Sequence, residues 1–323
     1  MVGSREAKST VAFISICDSN YVSRFLVMLD SLKKYIVKFT LFVVTLDKQA
    51  KDAIEKLNIS NLEVVSLSDL DKELQGVIKS LQSSRNRKEF IFALTPLLIK
   101  YLSKRDHSDY LVYVDADIYF KGNILEIMHL DGSSVGIFKH DFRNSIKNLE
   151  IYGRFNVGVV YFNRVGEGKR ALDWWSDKCI ESTSLDMESR PDVFGDQKYL
   201  DYFPNAFKEV VIHDNHVFCK GPWNTNDLSQ VGSSNYPYFF HFSGLEIGQR
   251  FSILGFRAYK WKPSPSMRNL YRDYVREIKH WEKNLKIPRK LFLEKKPLRE
   301  LLKIIKYRDF LWFPDSKTLK RRD

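Results

Sequence analysis

Two carboxylates two residues apart stand at the centre of this chain: Asp115 and Asp117, in Tyr110-Leu-Val-Tyr-Val-Asp-Ala-Asp-Ile-Tyr-Phe120. The apolar, β-favouring residues before them predict a buried strand that ends at the acidic pair. Side chains alternate along a strand, so both carboxylates project to one face with Cα atoms about 6.5 Å apart, near enough to converge on one cation. Buried acids without a partner are costly, and a divalent metal is the simplest partner that rewards two of them. The competing reading is that both acids cap a strand-to-loop junction in water, since Asp is common in turns.

The elements that must position this pair follow from the hydropathy pattern. Val11–Cys17 reads as a buried strand, Asp18-Ser19-Asn20 as a turn, and Phe25, Leu26, Leu29 and Leu32 as the apolar stripe of a helix from about Tyr21 to Tyr35. Phe39–Leu46 is a second strand, Ala50–Leu57 a second helix and Leu62–Leu67 a third strand. This alternation predicts an α/β fold with a mostly parallel sheet covered by helices on both faces. A helix over Phe90–Ser103 is expected to start or bend at Pro96. Short strands follow at Ser134–Lys139 and Asn156–Asn163, then a helix over Val165–Ile180, a helix from about Gly195 to Tyr202, and strands at Val210–Ile212 and Tyr238–Gly244. Ligands of such sheets bind beyond the carboxyl ends of the strands, where Ser15-Ile16-Cys17 and Asp115-Ala116-Asp117 both fall.

The 323 residues are 44% hydrophobic and 14% aromatic, enough to bury one large core. Three widely spaced cysteines, Cys17, Cys179 and Cys219, suggest neither a disulfide framework nor a zinc site, and fit a reducing compartment. No stretch has the length and apolarity of a membrane span, so a cytoplasmic protein is expected. No Gly-x-Gly-x-x-Gly or P-loop pattern is present, which removes most of the support for dinucleotide oxidoreductases and P-loop enzymes. The net charge of +12 is concentrated at one end: residues 261–323 hold 19 Lys and Arg against 8 Asp and Glu, which leaves 33 and 32 in the rest.

Five motifs in order carry a resemblance: Asp115-Ala116-Asp117, Phe155-Asn156-x-Gly158-Val159, Gly195-Asp196-Gln197, Gly221-Pro222-Trp223-Asn224 and His241-Phe-Ser-Gly244. Together they resemble the motif set of nucleotide-sugar glycosyltransferases with the GT-A fold, in particular the glycogenin-like family 8 and bacterial transferases similar to it. The similarity covers roughly residues 11–250. It implies a Rossmann-like GT-A domain over residues 10–260, followed by a basic helical extension over 261–323.

What the resemblance implies can be placed on single residues. Asp115, Asp117 and His241 would hold Mn²⁺ or Mg²⁺ on the diphosphate of a UDP-sugar donor. Ser15, Ile16 and Tyr21 would hold the base, and Ala116 with Asp115 would lie against the ribose. Asn156, Asp196 and Gln197 would meet the donor sugar near its anomeric carbon and form the catalytic set. Arg87 corresponds to an arginine that meets phosphate. A lysine expected after Thr95 is replaced by Pro96, and a Lys-Pro-Trp after the histidine is absent, so Lys220, Trp223 or Lys100 would have to compensate. His140, at a strand end, would touch donor or acceptor, or be an exposed loop histidine. His241 has its own plain reading as a core histidine, and Asp196 as a helix cap.

The predicted reaction transfers a hexose to a hydroxyl of a saccharide or lipid-linked glycan, with retention, as in lipopolysaccharide biosynthesis. A haloacid-dehalogenase-like phosphatase is the alternative enzyme, with Asp115 as nucleophile, Asp117 as acid and Gly195-Asp196 to Asp201 as its later motif. A non-catalytic nucleotide-sugar or membrane-surface binding protein is the alternative of another class. In the tail, Leu298, Leu301, Leu302 and Ile305 form an apolar stripe flanked by Arg299, Lys303, Lys306 and Arg308, which suits peripheral docking on an anionic surface at the cytoplasmic face of the inner membrane. No nucleic-acid-binding motif accompanies the charge, so no nucleic-acid partner is expected.

Overall fold

The computed structural model describes residues 9–130, 132–214, 218–225, 237–247, 251–254, 259, 263–285 and 310–312. The apolar stripe expected at 298–305 lies outside them. In chain order the elements are β1 (Val11–Cys17), α1 (Val22–Lys33), β2 (Thr40–Thr45), α2 (Lys48–Glu55), β3 (Leu62–Ser66), α3 (Lys72–Ser84), α4 (Arg87–Leu102), β4 (Tyr110–Val114) and β5 (Ile118–Phe120). Then come β6 (Val135–Lys139), β7 (Phe155–Asn163), α5 (Gly166–Glu181), α6 (Phe203–Ala206), β8 (Val210–His213), β9 (Cys219–Lys220), β10 (Phe239–His241), β11 (Leu245–Ile247), β12 (Phe251–Leu254), α7 (Pro265–Leu285) and β13 (Phe310–Trp312).

A seven-stranded sheet in the order β3-β2-β1-β4-β7-β6-β8 forms the centre. β1, β2, β3 and β4 run parallel, β7 is antiparallel to both β4 and β6, and β6 pairs parallel with β8. The sheet is therefore mixed and mostly parallel. Alternate side chains of β1 go to opposite layers: Ala12, Ile14 and Ile16 pack with α3, α4 and α5, while Phe13 and Cys17 pack with α1 and α2. Cys17, Cys179 and Cys219 are buried free thiols.

α4 does not begin at Phe90 or Pro96. It begins at Arg87, because Asn86 accepts from the backbone N–H groups of Lys88 and Glu89 while the Glu89 carboxylate returns to the Asn86 N–H. That reciprocal capping box fixes the start, and Pro96 is carried inside the helix. α3, which the hydropathy reading passed over, is capped by Asp71. The stretch expected as a helix up to Tyr202 is a 3₁₀ segment, Gln197–Tyr202, leading into α6.

Two small sheets sit beside the central one, in the orders β5-β10-β9 and β11-β12-β13. The second joins Phe251–Ile253 to Phe310–Trp312, so the aromatic residues after the basic stretch form a strand. α7 packs on α1 and buries Met267, Tyr271, Tyr274, Val275 and Ile278 against Phe240, Phe242 and Tyr119. No described helix is long and apolar enough to cross a membrane.

Candidate active site and metal centre

β4 is buried at every residue and ends at Val114, after which the chain leaves the central sheet and re-enters a different one as β5. Asp115, Ala116 and Asp117 occupy this crossing. β5 runs antiparallel to β10 with Ile118 opposite His241, and the Phe242 N–H donates to the Asp117 carbonyl at 3.0 Å. That register carries His241 from the far end of the domain to the acidic pair. Its Nε2 lies 3.1 Å from Asp117 Oδ1 and 3.6 Å from Asp115 Oδ2. One ligand atom from each of the three residues falls within 4.8 Å of the others.

Backbone neighbours hold this arrangement from behind. The Asp115 N–H donates to the Gly158 carbonyl at 2.9 Å, and Tyr113, two residues back on the same strand face, donates its hydroxyl to Asp115 Oδ1 at 2.7 Å. Gly158 itself lies against His241: a Cβ there would come within 2.5 Å of the imidazole Nδ1 and 2.7 Å of Asn156 Oδ1. Only glycine leaves room for the ring. Asn156 accepts from the Gly158 N–H, so its amide is held at the same spot.

The electrostatics follow from burial of like and unlike charges. Burial raises the Asp115 carboxyl, with Asp117 adding to it and His241 opposing. Burial also acts upward on Asp117, but His241 and its hydrogen bond outweigh it and the carboxyl is lowered. The imidazole of His241 is raised despite its burial, because two carboxylates face it. Two hard oxygen donors and one imidazole make a donor set suited to Mn²⁺ or Mg²⁺, the mixed shell favouring Mn²⁺. The geometry fits such an ion: Nε2 is aimed at both carboxylates, and the Asp115 side chain is 33% exposed and open to solvent on one side.

Around this centre the other expected residues divide. Ser15 and Ile16 are buried at the end of β1, and Ser15 Oγ has no hydrogen-bond partner among the described residues. Tyr21 starts α1 half-exposed, and Ala116 is buried between the two acids. Asp196 is buried, its carboxyl held well above the usual carboxylate range by burial and then by Asp115. It makes no side-chain capping bond to the 3₁₀ segment that follows it. Its carbonyl accepts from the buried Trp175 indole at 2.9 Å, and the side chain of Gln197 donates to the Tyr152 carbonyl at 2.8 Å. Asp201, which the phosphatase alternative needs at the site, is engaged by the Arg154 N–H and by Lys198.

The aromatic residue expected beside the cluster is there, but the lysines are not. Trp223 is buried with its ring edge-on to His241 at 5.4 Å and to His140 at 5.3 Å. His140 is not an exposed loop histidine: it is buried, stacked on Phe142 at 4.7 Å, and pushed down to about 3 by burial and then by His241. Lys220 pairs in register with Phe240, so its side chain leaves the strand on the face opposite His241, and the acids it senses are Asp141 and Asp214. Lys100 is bound to Asp177 at 2.9 Å and Asp173 at 3.5 Å on the α4–α5 surface. Arg87 pairs with Asp18.

By sequence Asp18 belongs to a turn that could also cap the helix beginning near Tyr21; α1 has no side-chain cap. Asp18 is buried at the C-terminal end of β1, bonded to the Asn20 N–H and to Arg87. Its place after a buried strand, the same position that singled out Asp115, was the available signal. Asn224 is a second such residue: its amide bridges the carbonyls of His140 and Cys219 and accepts from the Gly221 N–H, which fixes the turn carrying Trp223.

The architecture matches that of a known enzyme. The galactosyltransferase LgtC in complex with donor and acceptor sugar analogues superposes with a TM-score of 0.53 at 14% sequence identity, over 83% of this chain and 95% of LgtC. The fold is GT-A. It is the fold of nucleotide-sugar glycosyltransferases, as the ordered motifs implied. Two curated proteins of Bacillus subtilis (strain 168) are similar along the sequence: uncharacterized protein YfnD, 25% identical over 287 residues (84% of this chain and 90% of YfnD), and uncharacterized protein YfnF, 24% identical over 257 residues (74% and 82%). No family model matches the chain.

Proposed function

We propose that this protein is a metal-dependent glycosyltransferase that moves a hexose from a UDP-sugar to a hydroxyl of a saccharide or lipid-linked glycan. The observation that carries this reading is the convergence of His241 on Asp115 and Asp117 at the C-terminal end of the central sheet, where the GT-A fold presents its strand ends. LgtC, which shares the fold, is seen with both donor and acceptor sugar analogues, and the same two ligand classes are proposed here.

In this reading Asp115, Asp117 and His241 hold the ion. The ion supplies charge stabilisation to the departing nucleoside diphosphate. Ser15, Ile16 and Tyr21 receive the base and Ala116 with Asp115 the ribose. Asn156, Asp196 and Gln197 orient the sugar; the raised carboxyl of Asp196 suits a neutral acid that donates a hydrogen bond to a sugar hydroxyl. Transfer with retention brings the acceptor hydroxyl to the face from which the phosphate departs, and the chain's contribution is positioning and a preorganised field. The basic tail supports an acceptor at an anionic membrane surface.

A thermal-shift series tests the class. UDP and Mn²⁺ together should raise the melting temperature where neither alone does, since a ligand at 100 times its Kd stabilises the native state by about 2.7 kcal/mol. Transfer of hexose from a UDP-sugar panel to saccharide acceptors then tests the reaction. Release of phosphate from phosphomonoesters, with no nucleotide released from sugar nucleotides, would replace this reading with the phosphatase.

A further inference from the structure

A buried cation in α1 has no carboxylate paired with it among the described residues. Arg24 lies in the first turn of α1 and is 8% exposed, yet among the described residues no carboxylate lies within ion-pairing distance of its guanidinium. One amino group donates to the Leu245 carbonyl, and the guanidinium carbon sits 4.4 Å above the ring of Tyr21. A guanidinium has five N–H donors in a fork shaped for carboxylate or phosphate; here the Leu245 carbonyl and the Tyr21 hydroxyl take part of it, and the nearby Tyr274 and Asp117 favour its charged form, so a positive fork stands ready beside the acidic cluster.

Its place in the fold connects it to the acidic cluster. Leu245 closes the turn that begins at His241: the Leu245 N–H donates to the Phe242 carbonyl, and the Phe242 N–H donates to the Asp117 carbonyl. The ring of Phe242 stacks flat on Tyr274 of α7 at 3.6 Å, and the Tyr274 hydroxyl is buried with no hydrogen-bond partner among the described residues. Arg24, Tyr21 and Tyr274 thus surround the same turn as the metal-binding triad. The charge of Arg24 is among the influences that lower Asp117. Of the other cations expected for a diphosphate, Lys100 is held by Asp173 and Asp177 and Lys220 lies across the strand, while Arg87 pairs with Asp18 at the C-terminal end of β1.

We propose that Arg24 is an anion-binding residue of the donor site, its fork facing the phosphates of the nucleoside diphosphate, with α7 closing over it through Tyr274. This rests on the glycosyl-transfer reading. It makes the C-terminal helix part of the donor pocket's wall and moves the positive charge from a loop lysine to the first turn of α1. A buried guanidinium is a stronger phosphate partner than an exposed ammonium, because its charge-assisted bonds are bidentate and poorly screened.

The test uses the full chain with Mn²⁺ and a panel of UDP, GDP, ADP and CDP. Arg24→Gln keeps a donor for Leu245 and removes the charge; Arg24→Lys keeps the charge and loses the fork. Wild type should bind one diphosphate, R24Q should bind it about tenfold or more weakly, and R24K should recover part of the loss. The salt dependence of binding should also be shallower in R24Q than in wild type, which a purely structural role would not produce. Arg24→Met provides the same comparison if R24Q does not fold. Equal affinity and equal salt dependence in wild type and R24Q would overturn the assignment of Arg24 alone. No binding of any diphosphate to wild type would overturn the glycosyl-transfer reading and this inference with it.

Discussion

His241 and Asp117 come from opposite halves of the chain, yet the imidazole Nε2 stands 3.1 Å from the carboxylate, and the residues next to them, Phe242 and Ile118, are locked by backbone hydrogen bonding and strand register. The contact is built into the antiparallel pairing of β5 with β10 and does not depend on a mobile side chain. Removing any member of the triad should therefore leave the sheet intact and abolish metal-dependent turnover. Asp117→Ala or His241→Ala is expected to lower hexose transfer at least about a thousandfold, read together with loss of the Mn²⁺-dependent thermal shift. Full activity in Asp117→Ala would count against the assignment.

Gly158 is expected to be intolerant of the smallest side chain. A Cβ at 2.5 Å from His241 Nδ1 forces the ring away from the carboxylates, and overpacking of this kind costs about 1–3 kcal/mol. Gly158→Ala should melt modestly earlier and require far more Mn²⁺ for half-maximal activity. Unchanged metal dependence would show that the ring has another way to reach the acids.

The Trp175 indole is the buried donor to the Asp196 carbonyl. Trp175→Phe keeps most of the ring volume and leaves that carbonyl without its partner, at a cost of about 1–3 kcal/mol. Chemical denaturation should report the loss. If Asp196 orients the donor sugar, kcat should fall in the same variant while UDP binding is retained.

His213 should set an acid limit on stability. Its imidazole is buried, stacked on Phe138 at 4.4 Å, within 2.9 Å of the Tyr161 hydroxyl and beside His129. Burial, and then His129, push it down to about 4. In the unfolded chain an imidazole protonates near pH 6.5, so below that pH the unfolded state binds the extra proton and the folded state does not. Stability is whole above about pH 6.5 and declines as the pH falls toward 4, by at most roughly 3 kcal/mol from this residue. His213→Phe should flatten that part of the urea-denaturation profile; an unchanged slope would place the acid sensitivity elsewhere.

Much of this protein can be read in its sequence because the decisive signals are local. The apolar runs of β1, β2, β3 and β4 with intervening amphipathic segments determine a mostly parallel covered sheet, and Asp115-Ala-Asp117 marks the strand end at which the proposed site lies, since alternation along a strand needs no information from elsewhere. The ordered motifs added His241 and the Asn156, Asp196 and Gln197 set by resemblance. The start of α4 is equally local: Asn86 and Glu89, three residues apart, set it ahead of Pro96 by reciprocal capping.

Tertiary structure decided what no local pattern encodes. Lys220 and His241 each lie in a short apolar context, and only the pairing of Cys219 with Phe239 and of Ile118 with His241 determines which of them faces the acids. The burial of His140 and the enclosure of Arg24 depend on Trp223 and on α7, elements that come from far along the chain. A strand's period of two residues fixes which side chains share a face; which neighbour lies across that face is set by register and packing, and these exist only once the chain has folded.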